Sequence, residues 1–288
     1  MEVVHLLRRE QWRHRPLLQK RKIYTIISLH DDVLPMEVLE LSERNYYGSL
    51  CAEMYDILHQ TAPADELAFY LSYAEKRQKI LEPLCGNGRF LVPFLERGFD
   101  ITGLDLSGEM LTKLKQKAPN AQVFQVDIAE YPGQGAYDYI FIPSCSMSLF
   151  TDISQCKQVL RKLNALLAKG GKLVFSVDTI ANRCRDDSDY QTTASVKTQE
   201  GFDLILKSKN YYDEPSQTQF SPGTYELYRD GVLLDQERMD FQTHLYRAGE
   251  MEQYLRESGF SAVLAYSSYG KAPVSGSGHE ILLYECSL

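Results

Sequence analysis

The sequence has no Cys-x-x-Cys or Cys-x-x-His pair, and its six cysteines (positions 51, 85, 145, 156, 184 and 286) lie far apart. In a chain of 288 residues, that spacing reads as reduced, mostly buried thiols rather than a disulfide framework or a zinc cluster. The six histidines are equally dispersed, so no metal site is expected. No apolar run is long enough to span a bilayer, and no charged-then-apolar leader opens the chain, so neither a membrane nor a secretory route is expected. A basic surplus is missing too. Lys and Arg number 31 against 39 Asp and Glu, and the net charge of −8 disfavours a nucleic-acid backbone as partner. Repeats and low-complexity tracts are absent. What is present is a 44% hydrophobic composition, enough for a real core in one large α/β domain with an insertion, or in two small domains. A cytoplasmic enzyme is the opening expectation.

Residues 1–44 read as an extension, basic at its start: Arg8, Arg9, Arg13, Arg15, Lys20, Arg21 and Lys22 face only Glu2 and Glu10 in the first 22 positions. The Arg-rich, acid-poor opening also has the character of a transit peptide, though serines are few, and Met36 is an alternative start. From 45 to 76 the spacing of Tyr47, Leu50, Cys51, Met54, Tyr55 and Leu58 predicts a helix, with a second from Asp65 through Tyr73. Such a face is ordinarily core, but its place before the first strand also suits a lid over a ligand site.

The stretch Ile80–Phe94 then reads strand, glycine turn, helix, a unit that brings backbone close to a ligand at a helix N-terminus. Alternation continues with strands at about 100–105, 121–126, 137–142 and 172–177. Ser107 is a helix N-cap candidate, and a helix from Asp152 to Ala168 is stopped by Gly170-Gly171. Repeated βα units with short connections predict a doubly wound, Rossmann-like sheet of seven mostly parallel strands. Residues 180–245 lack helical periodicity and carry a hairpin signal at Asp230-Gly231, so a small antiparallel β insertion of three or four strands is expected there. A helix at 250–258 and two strands near 261–267 and 280–285 close the core within 246–288.

Ligand-type residues fall at four successive strand ends: Glu82 with Gly86 and Gly88, then Asp105, then Asp127, then Pro143–Ser146. In a doubly wound sheet these all lie on the C-terminal edge, where ligands bind. Each acid alone reads as a helix cap or a turn former; three closing successive strands point to a site. The set resembles a class I S-adenosylmethionine (SAM)-dependent methyltransferase of the small-molecule type. Glu82-Pro-Leu-Cys85-Gly-Asn-Gly88 is similar to the family's acid-x-Gly-x-Gly-x-Gly motif, with Leu84 standing for the first glycine. That resemblance covers 45–180 closely, making 45–179 the SAM-binding core, and covers 245–288 in outline. It implies that the backbone of Gly86–Gly88 approaches the methionine part of SAM, with Glu82 holding its amino group and Leu84 and Cys85 beside it. It further implies Asp105 on both ribose hydroxyls through two free carboxylate oxygens, Leu106 and Met110 flanking the adenine, Asp127 and the Ile128 amide on the adenine edge, and Pro143 and Ser144 with Cys145 below the methyl. Tyr47 and Tyr55 would close over the cofactor, the alternative for both being core packing.

The function so implied is transfer of a methyl group from SAM to N or O of a small molecule, leaving S-adenosylhomocysteine (SAH), with 180–245 as a substrate cap. No catalytic base is named, since His244 reads as structural; a homodimer is the assembly considered. Three other readings stand beside it: a methyltransferase acting on RNA or protein, a nicotinamide-dependent oxidoreductase on the near-fingerprint Gly86-x-Gly88-x-x-Leu91, and a SAM-binding protein without catalysis.

Overall fold

The computed structural model describes residues 45–276 and 278–288; the N-terminal extension expected at 1–44 lies outside the described residues. Five parallel strands form its centre: β1 (Lys79–Pro83), β2 (Asp100–Asp105), β3 (Gln122–Gln125), β4 (Tyr137–Ile142) and β5 (Leu167–Asp178). Five further strands form a second sheet: β6 (Gln191–Lys197), β7 (Asp203–Ser208), β8 (Tyr211–Asp213), β9 (Thr218–Arg229) and β10 (Val232–His244). The last two, β11 (Ala262–Tyr266) and β12 (Ile281–Ser287), return to the first sheet. Its order is β11-β12-β5-β4-β1-β2-β3, and β12 alone runs against the others. The order reverses between β1 and β4, which opens a crevice at their C-terminal ends.

Side-chain alternation along the central strands explains why both faces are covered. Ile80, Tyr139, Phe141, Val174 and Leu283 point to one face; Leu81, Ile140, Ile142, Phe175 and Tyr284 point to the other. The first set packs under α2 (Ala64–Leu71), α3 (Leu91–Glu96) and α4 (Gly108–Lys117), with the Phe94 and Phe141 rings stacked at 4.7 Å. The second packs under α5 (Ile153–Leu166) and α6 (Glu250–Glu257) through Val159, Leu160, Leu163 and Leu255. Strands apolar on both sides belong inside a parallel sheet, as observed.

Several boundaries differ from the sequence reading, each for a local reason. The helix after β1 begins only at Leu91, because Gly86 and Gly88 both sit at positive φ and are spent in the turn. Gly170 and Gly171 do not stop α5. They lie within β5, at a register irregularity against β4, where a Cβ on Gly171 would meet the Tyr137 carbonyl at 2.9 Å. The antiparallel sheet has five strands where three or four are expected, β8 being too short to show a pattern. Its main hairpin turns at Asp230-Gly231, both at positive φ, as a primed turn requires.

A remaining helix, α1 (Ser49–Leu58), buries its apolar face on this second sheet and pairs Glu53 and Asp56 with Lys113 and Lys117 of α4. Leu50, Cys51 and Met54 pack on Leu204, Tyr225 and Met239. The helix opens at Gly48 without a cap of its own; Glu237 of β10 accepts from the Leu50 and Cys51 amides at 3.0 and 3.2 Å instead. Among the described residues, no helix is long and apolar enough to cross a membrane.

Helix α5 has a clean local cap, since the Asp152 carboxylate accepts from the Ser154 and Gln155 amides. Asp152→Ala is expected to cost about 1 kcal/mol of stability in urea unfolding, with no change in m-value.

Candidate functional site

The crevice at the switch point holds a cavity of about 530 Å³. One wall is the turn after β1. Leu84 (φ +58°) and Gly86 (φ +51°) both take the left-handed region there, so the leucine keeps the glycine-type conformation at a cost of roughly 1–2 kcal/mol. The floor is the end of β2. The Asp105 carboxylate accepts from the Gly86 amide at 2.8 Å and, through its other oxygen, from the Ser107 amide at 2.9 Å. Ser107 caps α4 by accepting from the Met110 amide, and its hydroxyl donates to the Tyr47 carbonyl at 2.6 Å. Opposite stand Tyr47 and Tyr55, edge to face at 5.7 Å between centroids, with Leu149 and Phe150 completing the wall.

Two smaller cavities adjoin it. One, of about 380 Å³, lies between the ends of β4 and β5 and the second sheet, and is lined by Arg89, Ser144, Asp178, Asn182, Gln219, Ser221 and Thr243 among others. Another, of about 280 Å³, lies between α1 and the second sheet and is mainly apolar, with Met54, Leu58, Leu206, Met239 and Phe241. Tyr47 and Tyr55 line all three.

Of the residues singled out from the sequence, Tyr47, Tyr55, Leu84, Gly86, Asp105, Leu106 and Met110 line the largest cavity, and Ser144 lines the second. Leu106 is 52% exposed there. Glu82, Cys85, Gly88, Asp127, Ile128 and Pro143 line neither. Glu82 is buried directly behind the turn at the end of β1. Cys85 packs below Gly103 of β2, and Gly88 fits against Leu114, whose Cγ would stand 2.6 Å from an added Cβ. Asp127 accepts from the Ala129 amide just past β3, and Ile128 joins the core. Pro143 is buried at the start of the loop after β4. Both oxygens of Asp105 already hold backbone amides, so a ribose would share their remaining lone pairs rather than meet two free oxygens. His244 faces away from the cavities: it is buried, with Nε2 2.9 Å from Glu250 of α6.

Residues missed in the sequence are equally informative. Arg89 directly follows the second glycine; its Nη2 donates to Ser144 at 2.5 Å, and its guanidinium lies 5.8 Å from the Tyr55 ring centroid. A basic residue in a turn beside buried acids was the available signal. Asp178 closes β5 as Glu82 closes β1's apolar run, so the same acid-at-strand-end pattern reads it once the strand is extended one residue past Val177. Glu66 of α2 accepts from the Ser144 amide at 2.6 Å, and Ser144 and Cys145 both take positive φ. Only the fold brings Glu66 there.

Electrostatically the site is acidic. Burial pushes the Glu82 carboxyl well above its usual range, with Arg89 pulling the other way, and burial likewise raises Glu66, Asp105 and Asp178. Among the described residues no group of three or more His, Cys, Asp or Glu could hold a metal ion.

Comparison with known proteins fits this architecture. A methyltransferase-domain family model matches residues 80–171, from β1 into β5. A protein of Geobacillus sp. (strain WCH70), named provisionally as a methyltransferase, is 32% identical over 229 residues, covering 74% of this chain and 88% of its own length. The chain belongs to the class I SAM-dependent methyltransferases. A provisionally named methyltransferase of Bacillus subtilis (strain 168) is 30% identical over 131 residues, 44% of this chain, and the match spans about half of that relative, 53% of its length. The crystal structure of the sugar N-methyltransferase KedS8 from Streptoalloteichus sp ATCC 53650 superposes with a TM-score of 0.65 at 17% identity, covering 92% of this chain and 98% of that one; at that identity the likeness is one of fold. The methyltransferase is thus an enzyme whose cofactor is S-adenosylmethionine, which removes the oxidoreductase and non-catalytic readings.

The buried acids set a pH dependence. A carboxyl raised above its unfolded value contributes stability below that unfolded value and loses it as pH rises through the raised one. Glu82→Gln in the cofactor-free methyltransferase is therefore expected to leave the thermal midpoint unchanged near pH 4.5, the ordinary glutamate value, and to raise it increasingly toward neutral pH. Parallel melting curves across that range check this; a constant offset at every pH contradicts it.

Proposed function

We propose that this methyltransferase moves the methyl group of SAM onto N or O of a small molecule, with the largest cavity holding the cofactor and the Ser144–Asp178 cavity holding the acceptor. The observation that carries the reading is position. A chamber of about 380 Å³ walled by core strand ends on one side and the antiparallel sheet on the other suits a metabolite-sized acceptor.

The residues present suit the cofactor. Buried Glu82 has one carboxylate oxygen with no partner among the described residues, a place for the ammonium of the methionine arm. Gly86 leaves room a side chain would take, since an added Cβ would stand 3.0 Å from the Met110 methyl. Asp105 keeps lone pairs for ribose hydroxyls, and Leu106 with Met110 offers apolar surface to the base. An acidic surround favours a ligand bearing sulfonium and ammonium charges. Bound SAM supplies a methyl already activated by the sulfonium, so the protein's share is alignment and exclusion of water. Tyr47 and Tyr55 would do the excluding between cofactor and acceptor, and Asp178 is the carboxylate on the acceptor wall that can take up a proton.

The test is SAH titration followed by a search for methylated products with labelled SAM in the small-molecule fraction of a cell extract. Label entering only protein or RNA overturns the acceptor assignment. For the cofactor cavity, Asp105→Ala is expected to weaken SAH binding by at least about tenfold, as lost hydrogen bonds to a charged group imply. A cooperatively folding variant that binds SAH as tightly as the parent contradicts the placement.

A further inference from the structure

The apolar cavity beside the acceptor chamber has no part in the reading so far. It is continuous with that chamber in its walls: Tyr47, Tyr55, His59, Ser221 and Phe241 line both. Their characters differ. The acceptor chamber carries Asp178, Asn182, Gln219 and Thr243; the neighbour carries Met54, Leu58, Leu206 and Met239 from α1 and the sheet beneath it. The division follows from the fold, since α1 rests on the second sheet through apolar contacts while the chamber lies where Gln219 and Thr243, at the polar ends of β9 and β10, approach Asp178 at the end of β5.

Charge narrows the occupant further. Arg89 is the only Lys or Arg among the described residues lining either cavity, and its guanidinium is already engaged by Ser144 and faced by the acids Glu66 and Glu82. A phosphate-bearing acceptor, such as an amino sugar carried on a nucleoside diphosphate, needs several cations or free backbone donors along its path. Asp178 instead offers an acceptor for N–H groups, with its Oδ1 oriented by the Asn182 amide at 2.8 Å.

We propose that the acceptor is an amphipathic amine without phosphate, its nitrogen in the Ser144–Asp178 chamber and its apolar body in the cavity under α1. This rests on the assignment of the acceptor chamber made above. In the transfer the nitrogen lone pair forms the new N–C bond as the C–S bond breaks. The sulfonium becomes the neutral thioether of SAH, and the proton of the resulting ammonium passes to the Asp178 carboxylate or to water. A body of several carbons fills the apolar cavity without meeting a charge.

Straight-chain primary alkylamines of increasing length, from propylamine to decylamine, are the probes, added to the full chain saturated with SAH for binding and with SAM for product formation. Each added methylene is expected to tighten binding roughly three- to fourfold until the cavity is filled. Leu206→Phe and Leu58→Trp, which fill the same space from the sheet and from the end of α1, are expected to abolish that gain for the longer amines while the SAH dissociation constant stays within twofold. Leu58 is 51% exposed, so its replacement tests the cavity even if the Leu206 variant fails to fold. Affinity independent of chain length, equal losses for short and long amines in the variants, no binding of any amine, or a preference for a nucleoside-diphosphate amino sugar each overturn the proposal. Failure to bind SAH at all overturns the cofactor assignment instead, and is seen separately in the first titration.

Discussion

One carboxylate holds the crevice together. Asp105 stands at the end of β2 and takes the Gly86 amide with one oxygen and the Ser107 amide with the other. The first contact fixes the turn after β1 at the height of its neighbour strand; the second sets the start of α4, which Ser107 then caps. From Ser107 the hydrogen bond to the Tyr47 carbonyl carries the constraint to the segment before α1. Glycine turn, second strand, fourth helix and tyrosine segment therefore share a single anchor, and the two contacts to its carboxylate are charge-assisted, hence worth more than an ordinary hydrogen bond. Burial opposes the ionised state of that anchor, and the backbone donors around it oppose burial in turn.

The same balance recurs around the cavity walls. Glu66, Glu82 and Asp178 are all raised by burial, and a single guanidinium, Arg89, faces the first two. Three buried acids facing one guanidinium and a few amide donors are only partly compensated, which is costly in a low-dielectric site. A cationic ligand relieves the cost. Strain follows the same map: Leu84, Ser144 and Cys145 are non-glycine residues held at positive φ at the ends of β1 and β4, the two strands flanking the reversal of sheet order. Strain kept at the mouth of a site and absorbed by the packed sheet behind it is the pattern expected where geometry serves binding.

How much of this was legible in the chain depends on range. The parallel core was readable, because Ile80-Leu81 and Tyr139–Ile142 are apolar on both faces and the glycine stretch announces the turn between strand and helix. The Asp230-Gly231 hairpin was readable from its turn residues. The helix limits around Gly86–Gly88 and Gly170-Gly171 were not, since glycine marks backbone freedom without saying whether a cap, a turn or a bulge uses it. Asp178 escaped through a strand end set one residue short. Glu66 and Glu237 had no local signal at all: one reaches the Ser144 amide from α2 and the other caps α1 from β10, across 78 and 187 positions of chain. Long-range polar contacts of this kind emerge only when the sheets have brought their elements together.

Residues from α1 and from the segment before it line all three cavities, which has a thermodynamic consequence. Helix α1 is fastened to the second sheet by Glu237 and by the Leu50–Met54 face, yet Tyr47 and Tyr55 wall the cavity at the ends of β1 and β2. The Tyr55 ring that walls this cavity is thus borne on the helix that bounds the other two, and the Tyr47 ring on the segment just before it. A ligand that stabilises one setting of these rings changes the wall presented to its neighbour. By linkage, whatever factor the first ligand imposes on the affinity of the second is imposed equally in return. Since the second sheet carries α1 through packed apolar contacts rather than through a flexible tether, such a factor need not be lost in the connection.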